Sequence, residues 1–210
     1  MSRRHPPQIS SRKEPQQARS TELVAAILQA ALQVLAQDGV TRFTVARVAD
    51  RAGVSVGSIY QYFPNKAAIL FRLQSDEWAQ TTQMLRNILE DVSRPPLERL
   101  RALVHAFVRS ECEEAQLRMA LHDAAPLYRD ALEAKEINDQ WDGIFATFMK
   151  EALPAASGES RTQACDLIST TLSAVAKDYS GRSCSPEEMK HNADALADMF
   201  CAYITELASH

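Results

Sequence analysis

The stretch from Thr44 to Lys66 constrains the fold of this chain more than any other part of its sequence. Its spacing predicts a short helix over Val45–Ala52, a tight turn at Gly53-Val54 and a second short helix over Ser55–Tyr62. Two short helices joined by a turn that contains glycine form the helix-turn-helix pattern. We therefore expect Gly53 to have a positive φ, a conformation that glycine adopts without strain.

Each of the two helices has an apolar side that its spacing assigns to the interior. The predicted inward residues are Val48, Ala49, Ala52, Val54, Ile59 and Phe63. At 3.6 residues per turn, Val56, Gly57, Tyr60 and Gln61 lie together on the other side of the second helix. That side suits a DNA major groove, where a valine contacts a thymine methyl group and a glutamine pairs with adenine. Because glycine costs a helix roughly 1 kcal/mol relative to alanine, we interpret Gly57 as a place where the backbone comes close to DNA.

The helix N-termini at both ends of the motif are candidate phosphate sites. Thr44 is the predicted N-cap of the first helix. Asn65 is the predicted N-cap of the helix that follows the motif, with Lys66 in its first turn. Free N–H groups at a helix N-terminus hold phosphates well.

These residues resemble the DNA-binding domain of the TetR family of bacterial transcriptional regulators. The resemblance covers about residues 20–70. It is carried by the long first helix ending near Gly39 and by Phe43-Thr44-Val45, Val48-Ala49, Ala52-Gly53-Val54 and Gly57-Ser58-Ile59-Tyr60-Gln61-Tyr62-Phe63 followed by Asn65-Lys66. It implies a homodimeric repressor that releases its operator when a small-molecule effector binds the C-terminal helical domain. The rest of the chain agrees with the family in length and helical pattern only.

The resemblance also implies which residues bind DNA. The carried-over positions are Thr44, Arg47, Ser55, Val56, Gly57, Ser58, Tyr60, Gln61, Tyr62 and Lys66. We assign Thr44, Arg47, Tyr60, Tyr62 and Lys66 mainly to phosphates, and Val56, Gly57, Ser58 and Gln61 to base edges. Ala46 departs from the pattern because it cannot make the polar base contact that some relatives make there. The expected partner is double-stranded DNA with a pseudo-palindromic operator, read by the recognition helix alone.

Charge is distributed unevenly along the chain. The net charge of −4 over 210 residues argues by itself against a general nucleic-acid binder. Residues 1–66, however, hold nine Lys/Arg and four Asp/Glu, a net +5, whereas residues 67–210 carry a net −9. Positive charge beside the motif favours DNA through counterion release. Chance segregation together with a basic tail would give the same counts.

We predict an all-α chain of about nine helices in three parts: a disordered basic tail (1–19), a helix-turn-helix domain (20–66) and a helical effector-binding and dimerisation domain (67–210). The tail either reaches the minor groove of DNA or only keeps the chain soluble. Gly39 is expected to stop the first helix, and Ser185 with Glu188 to form a capping box. The predicted helices outside the motif are Thr21–Asp38, Asn65–Val92, Leu97–Glu113, Leu117–Ala124, Leu127–Leu153 with allowance for a break, Arg161–Tyr179 and Pro186–Ala208.

The last two helices carry narrow apolar stripes that suit a subunit interface. The predicted dimer-interface residues are Ile168, Leu172, Val175, Ala193, Leu196, Phe200 and Ile204. The resemblance implies a four-helix bundle formed by these helices from two subunits. A twofold dimer would read two half-sites of DNA. The alternative is that both stripes belong to the core of a single chain.

Aromatic and methionine residues of the middle region are candidates for the effector pocket. The predicted lining residues are Met84, Phe107, Arg118, Met119, His122, Tyr128, Trp141, Phe145, Phe148 and Met149. Among them Arg118 and His122, together with Asp123, could orient a polar or anionic group. Each apolar residue could equally be ordinary core.

Motifs of other functional classes are missing from the sequence. No catalytic serine, zinc-protease or phosphate-loop pattern occurs, so we expect no enzyme, no catalytic residue and no cofactor. Glu188-x-x-His191 lacks the second such pair that a di-iron site needs, so we expect no metal. The scattered cysteines favour a reduced, cytoplasmic protein, and the longest apolar stretch, Leu23–Ala36, is shorter than the roughly 20 residues of a membrane span. A small-molecule sensor or carrier with a vestigial helix-turn-helix is the alternative function.

Overall fold

The computed structural model describes residues 9, 18–128, 133–180 and 185–209, apart from the side chains of residues 18, 19, 133–142, 176, 177 and 180. Over these residues the chain is all-α and has no strand, as the sequence predicts. The helices are α1 (Ala18–Arg42), α2 (Val45–Ala52), α3 (Val56–Tyr60), α4 (Lys66–Leu89), α5 (Pro96–Glu113), α6 (Ala115–Ala124), α7 (Glu133–Ala152), α8 (Gly158–Ser180) and α9 (Pro186–Ala208). A 3₁₀ turn at Ala125–Leu127 follows α6.

The chain forms two compact units, and the division between them falls within α4. Unit 1 comprises Met1–Trp78 and Gln116–Ile137, and unit 2 comprises Ala79–Ala115 and Asn138–His210. The predicted boundary after residue 66 does not coincide with this division. Unit 1 includes α6 because Leu121 and Ala124 belong to the same buried cluster as α1, α2 and the start of α4.

Helix α1 supports unit 1 with a single buried stripe. Val24, Ile27, Ala31 and Val34 follow the helical spacing and are at most 7% exposed. Burial of each Val or Ile side chain stabilises the unit by about 1.5–3 kcal/mol. The segment Ser20–Arg42 is long and apolar enough to cross a membrane, contrary to the prediction from the apolar stretch Leu23–Ala36. Its apolar stripe is instead packed in the core of unit 1.

At the start of the chain, the predicted end of the first helix is confirmed, whereas the predicted disorder of the tail is wrong at one residue. Gly39 has φ 69° and ψ 172°, so the regular part of α1 ends at this residue as predicted, and a further helical turn reaches Arg42. Most of the predicted disordered tail lies outside the described residues. Ile9 is described and is 2% exposed within the cluster of unit 1, so the prediction of disorder is wrong at this residue.

Unit 2 is organised around α5, which packs against both α8 and α9. Arg99 of α5 is 1% exposed, and its guanidinium donates to the carbonyl oxygen of Leu89 at 2.6 Å. The same group binds the carboxylate of Glu151 on α7 and lies 5.6 Å from the ring centroid of Phe148. The hydrogen bond from Arg99 holds the pKa of Glu151 below its ordinary value. One buried cation therefore joins three helices of unit 2.

The stripes predicted to form the dimer interface are largely the core of one chain. Ile168, Leu172, Ala193, Phe200 and Ile204 are at most 3% exposed within a single protomer. Since these side chains are already buried in the core cluster of unit 2, where α5 packs against α8 and α9, they cannot also present a face to a second subunit. The prediction is wrong for these five residues. Val175 and Leu196 are half-buried at the edge of the same cluster.

Candidate nucleic-acid interface

The helix-turn-helix forms at the predicted place. Thr44 caps α2 by accepting a hydrogen bond from the backbone N–H of Arg47, with a donor–acceptor distance of 3.3 Å. Gly53 ends α2 with φ 68°, as predicted. The N–H of Val54 donates to the carbonyl of Ala49 at 3.0 Å and closes the turn. Ala49 is 3% exposed, which fits its predicted inward position.

Helix α3 turns one side inward and the other outward. Ile59 is fully buried and Phe63, just after the helix, is 1% exposed. Val56 is 38% exposed and Tyr60 is 42% exposed, although apolar or aromatic side chains of this size are usually covered. Gly57 and Gln61 are exposed beside them. The predicted orientation of this helix is confirmed, and we name Val56, Gly57, Tyr60 and Gln61 the outward face.

Serine side chains fix the start of α3. Ser55 Oγ accepts from the backbone N–H of Ser58 at 3.0 Å, and the two hydroxyl oxygens lie 2.8 Å apart. Both serines are predicted DNA contacts, and each hydroxyl already has a partner in the other. The helix itself spans Val56–Tyr60 and is therefore shorter than the predicted Ser55–Tyr62.

The predicted phosphate contacts divide into exposed and buried residues. Thr44, Arg47 and Lys66 are exposed at the two ends of the motif. The Oδ1 of Asn65 accepts from the N–H of Ala68 at 2.9 Å, which confirms the predicted cap of α4. Tyr62, by contrast, is 7% exposed and belongs to the core cluster of unit 1. The ring of Tyr62 therefore belongs to the core, and its assignment mainly to a phosphate stays a prediction that depends on its hydroxyl group alone.

Polar side chains of α1 hold two arginines of α2. The Nη1 of Arg47 lies 2.6 Å from the Oδ2 of Asp38. Arg51 donates to the amide oxygens of Gln37 and Gln33 at 2.5 and 3.3 Å. Neither Asp38 nor Arg51 was predicted to be part of this surface. Helical spacing identifies side chains on one helix face, and it gives no signal for a pair formed between two helices.

Comparison with known proteins decides the family. Residues 27–73 match the sequence profile of the bacterial regulatory proteins of the tetR family. Residues 95–207, more than half of the chain, match the tetracyclin repressor-like C-terminal domain. The chain belongs to the TetR family. One family of regulatory proteins thereby accounts for both the motif and the helical domain that follows it in the sequence.

One curated relative and two solved structures show the extent of the TetR-family likeness. The HTH-type transcriptional repressor KstR of Rhodococcus jostii (strain RHA1) is 29% identical over 131 residues, which are 61% of this chain and 60% of KstR. The fatty acid degradation regulator FadR of Bacillus halodurans has a TM-score of 0.69 at 20% identity, over 90% of this chain and 97% of FadR. A complex of SmeT with triclosan has a TM-score of 0.62 at 22% identity, over 87% of this chain and 91% of SmeT. At these identities the two structures show the TetR fold alone.

The residues predicted to line an effector pocket fall in both units. Arg118, Met119, His122 and Tyr128 belong to unit 1, whereas Met84, Phe107, Phe145, Phe148 and Met149 belong to unit 2. The side chain of Trp141 lies outside the described residues. Met119 is 47% exposed and His122 is exposed, so neither faces an enclosed site within unit 1. Phe145, Phe148 and Met149 are core residues of unit 2.

Arg118 has an internal partner in unit 1. Its Nη1 lies 2.7 Å from a carboxylate oxygen of Glu77, which is 8% exposed. The other carboxylate oxygen of Glu77 accepts from the amide of Gln74 at 3.0 Å, and the hydroxyl of Tyr128 donates to Gln74 at 3.2 Å. Burial, with Glu77 nearby, raises the pKa of Tyr128 to about 12. The predicted role of Arg118 with an anionic ligand therefore competes with an existing ion pair.

A small groove lies within unit 2 between α5 and α9. Its volume is about 210 Å³, and Val108, Met189 and Ala193 contribute apolar walls. His105, Arg109 and Lys190 contribute basic groups, and Glu113 an acidic one. None of these residues is among the predicted pocket residues. The volume is below the roughly 300 Å³ at which drug-sized ligand sites begin.

Proposed function

We propose that this TetR-family protein is a cytoplasmic, homodimeric, ligand-responsive transcriptional regulator that acts as a repressor. The single observation that carries the DNA-binding part is the outward face of α3. A helix whose inner side is fixed by the buried Ile59 presents Val56 and Tyr60 to solvent at 38% and 42% exposure. Exposed apolar groups beside a glycine and an amide are unfavourable in water. They match the edge of a base pair in the major groove, which offers a methyl group and hydrogen-bonding atoms.

The contacts to DNA fall into two classes. Val56, Gly57 and Gln61 read bases in the major groove, with Ser58 at the edge of that group. Thr44, Arg47, Tyr60 and Lys66 bind phosphates, and these contacts position the unit without reading sequence. The net +5 of residues 1–66 adds affinity for any DNA through counterion release.

The dimer uses the outer side of α8 and α9. Leu167 of α8 and Met199 of α9 are 49% and 51% exposed in a single chain. Ala195 and Ala202, near Met199 in helical spacing, are also exposed. Small and apolar residues on one side of a helix suit close packing against a second copy. In a twofold dimer the two α3 helices would enter successive major grooves about 34–36 Å apart.

The effector binds the C-terminal helices and shifts the start of α4. Asn65 and Lys66 begin that helix directly after the motif, so a displacement of α4 would move the phosphate contacts. A ligand releases the operator only if it binds the released state more tightly than the bound state. If a small molecule binds the protein to saturation and leaves operator affinity unchanged, that molecule is not its effector.

Two variants test the assignment of contacts. The operator is first identified by selecting the genomic DNA fragments that the protein binds. Fluorescence anisotropy then measures affinity for this operator and for random duplex DNA. Lys66→Ala should weaken binding to both DNAs and lower the slope of log affinity against log salt by about one. Val56→Ala should relax preference at one thymine and leave affinity for random DNA unchanged.

The two variants serve as controls for each other because both side chains are exposed and neither supports the core. If Val56→Ala weakens binding equally for every sequence, the outward face does not read bases. If the unaltered protein retains no DNA at physiological salt, the regulator is rejected. The sensor or carrier that acts through protein contacts then becomes the better description.

A further inference from the structure

The ion pair between Asp38 and Arg47 places a negative charge inside the proposed DNA surface. Arg47 is one of the predicted phosphate contacts, and its Nη1 lies 2.6 Å from the Oδ2 of Asp38. The side chains are 51% and 28% exposed, so the pair is at the surface beside Thr44. An exposed pair of this kind adds little to folding stability. Its effect on a bound polyanion is larger, since a carboxylate and a phosphate compete for the same guanidinium.

A second arginine of α2 provides an internal contrast. Arg51 is also held by α1, but its partners are the neutral amides of Gln33 and Gln37. Among the described residues, therefore, no carboxylate pairs with Arg51, whereas the charge of Arg47 is balanced by Asp38. Helix α1 thus offers a charged partner to one arginine and neutral partners to the other, although both arginines lie on the same short helix.

We propose that Asp38 is a specificity-determining residue that weakens binding to non-specific DNA more than binding to the operator. This inference rests on the proposed function. Non-specific binding depends almost wholly on phosphate charge. Arg47 contributes little to it because the carboxylate of Asp38 balances the charge of the guanidinium. On the operator, base contacts of α3 add a sequence-specific share of the affinity and favour one register of the recognition helix. One N–H of Arg47 is engaged by Asp38, and among the described residues no other side-chain N–H of Arg47 has a partner. These remaining donors then meet a phosphate at a fixed position.

The test compares Asp38→Asn with the unaltered protein on random duplex DNA and on the selected operator, over a range of salt concentrations. The amide keeps the shape of the side chain and an acceptor oxygen but removes the charge. Affinity for random DNA should rise about three- to tenfold at low salt, the order of one unit charge near a protein surface. The salt slope should steepen by about one. The ratio of operator to random affinity should fall.

Asp76→Asn is the matched control. Asp76 also pairs with an exposed arginine of unit 1, Arg72, at 2.8 Å, but on α4 rather than on the motif. The Asp76→Asn variant changes the net charge by the same amount as Asp38→Asn and should leave the ratio of operator affinity to random-DNA affinity unchanged. An equal effect of both variants would show a general charge effect and overturn the proposal.

The variant Arg47→Ala identifies the route. If Asp38 acts through Arg47, Asp38→Asn should leave the operator-to-random ratio unchanged in the Arg47→Ala background, where only direct repulsion of phosphates by the carboxylate is removed. A full effect in that background, or weaker random-DNA binding by Asp38→Asn alone, would overturn the proposal. Normal DNA binding with no effect of Asp38→Asn would reject only this inference. A protein that binds no DNA would reject the proposed function as well.

Discussion

At the scale of single residues, Gly57 shows a difference between what the fold requires and what a DNA surface requires. A Cβ built at this position would meet only Ser55 Oγ, at 3.7 Å, which is an ordinary contact. Its φ is not positive, unlike that of Gly39 and Gly53. The fold therefore accepts a side chain at Gly57. A requirement for glycine there has to come from something outside the chain.

We expect Gly57→Ala to leave the fold intact, or to stabilise it by up to about 1 kcal/mol, because alanine favours a helix over glycine. Operator affinity should nevertheless fall at least tenfold, since the methyl group holds the backbone away from the bases. Denaturant unfolding and anisotropy measure the two effects. Gly143→Ala is the control, because Gly143 is also helical and exposed with nothing near its Cβ. It should raise stability similarly and leave DNA binding unchanged. Full operator affinity of Gly57→Ala would contradict the close approach.

At the scale of helices, capping predicts boundaries well where the cap is local. Ser185 Oγ accepts from the N–H of Glu188 at 3.2 Å, and the carboxylate of Glu188 accepts from the N–H of Ser185 at 2.8 Å. This capping box was predicted from the sequence because its four residues are contiguous. Helix α3 has only five residues, and so short a helix is not stable alone. It is held by its cap Ser55 and by the burial of Ile59.

Ser185→Ala should therefore destabilise unit 2 by about 1 kcal/mol, the usual cost of losing an N-cap side chain. Chemical denaturation monitored by circular dichroism measures the change. Ser173→Ala is the matched control, since Ser173 is exposed within α8. It should be neutral or slightly stabilising because alanine is the best helix former. Equal losses in both variants would show that the capping box does not stabilise α9.

At the scale of the whole molecule, burial within one chain decides which surface remains for a partner. Five of the seven predicted interface residues are core, whereas Leu167 and Met199 are exposed on α8 and α9. Two large apolar side chains on helices of one unit are the feature that supports the proposed dimer. Charge also differs between the two parts of the chain: residues 1–66, which contain the motif, carry a net +5, and the remaining residues carry a net −9.

Leu167→Glu should convert the dimer to a monomer and weaken operator binding, because an unpaired carboxylate is costly to bury and two half-sites are then no longer read together. Light scattering after size-exclusion chromatography gives the mass. Val92→Glu is the control, since Val92 is an 80% exposed apolar residue elsewhere in unit 2. It should leave the mass unchanged. A persistent dimer in Leu167→Glu would place the interface elsewhere.

The sequence by itself determined the helix-turn-helix, its glycine turn, its caps and the outward face of α3. These features depend on residues within a few positions of one another, so helical spacing and capping chemistry are sufficient to predict them. The TetR family followed from the same short segment.

Only the tertiary structure decided the rest. Spacing shows which side chains share a face of a helix, but it does not show whether the same chain or a second chain covers that face. For this reason the stripe of Ile168 and Phe200 was assigned to a dimer although it is core. The packing of α6 in unit 1 and the pairs of Asp38 with Arg47 and of Glu77 with Arg118 join residues distant in sequence. Such contacts depend on how helices pack, and no local pattern encodes them.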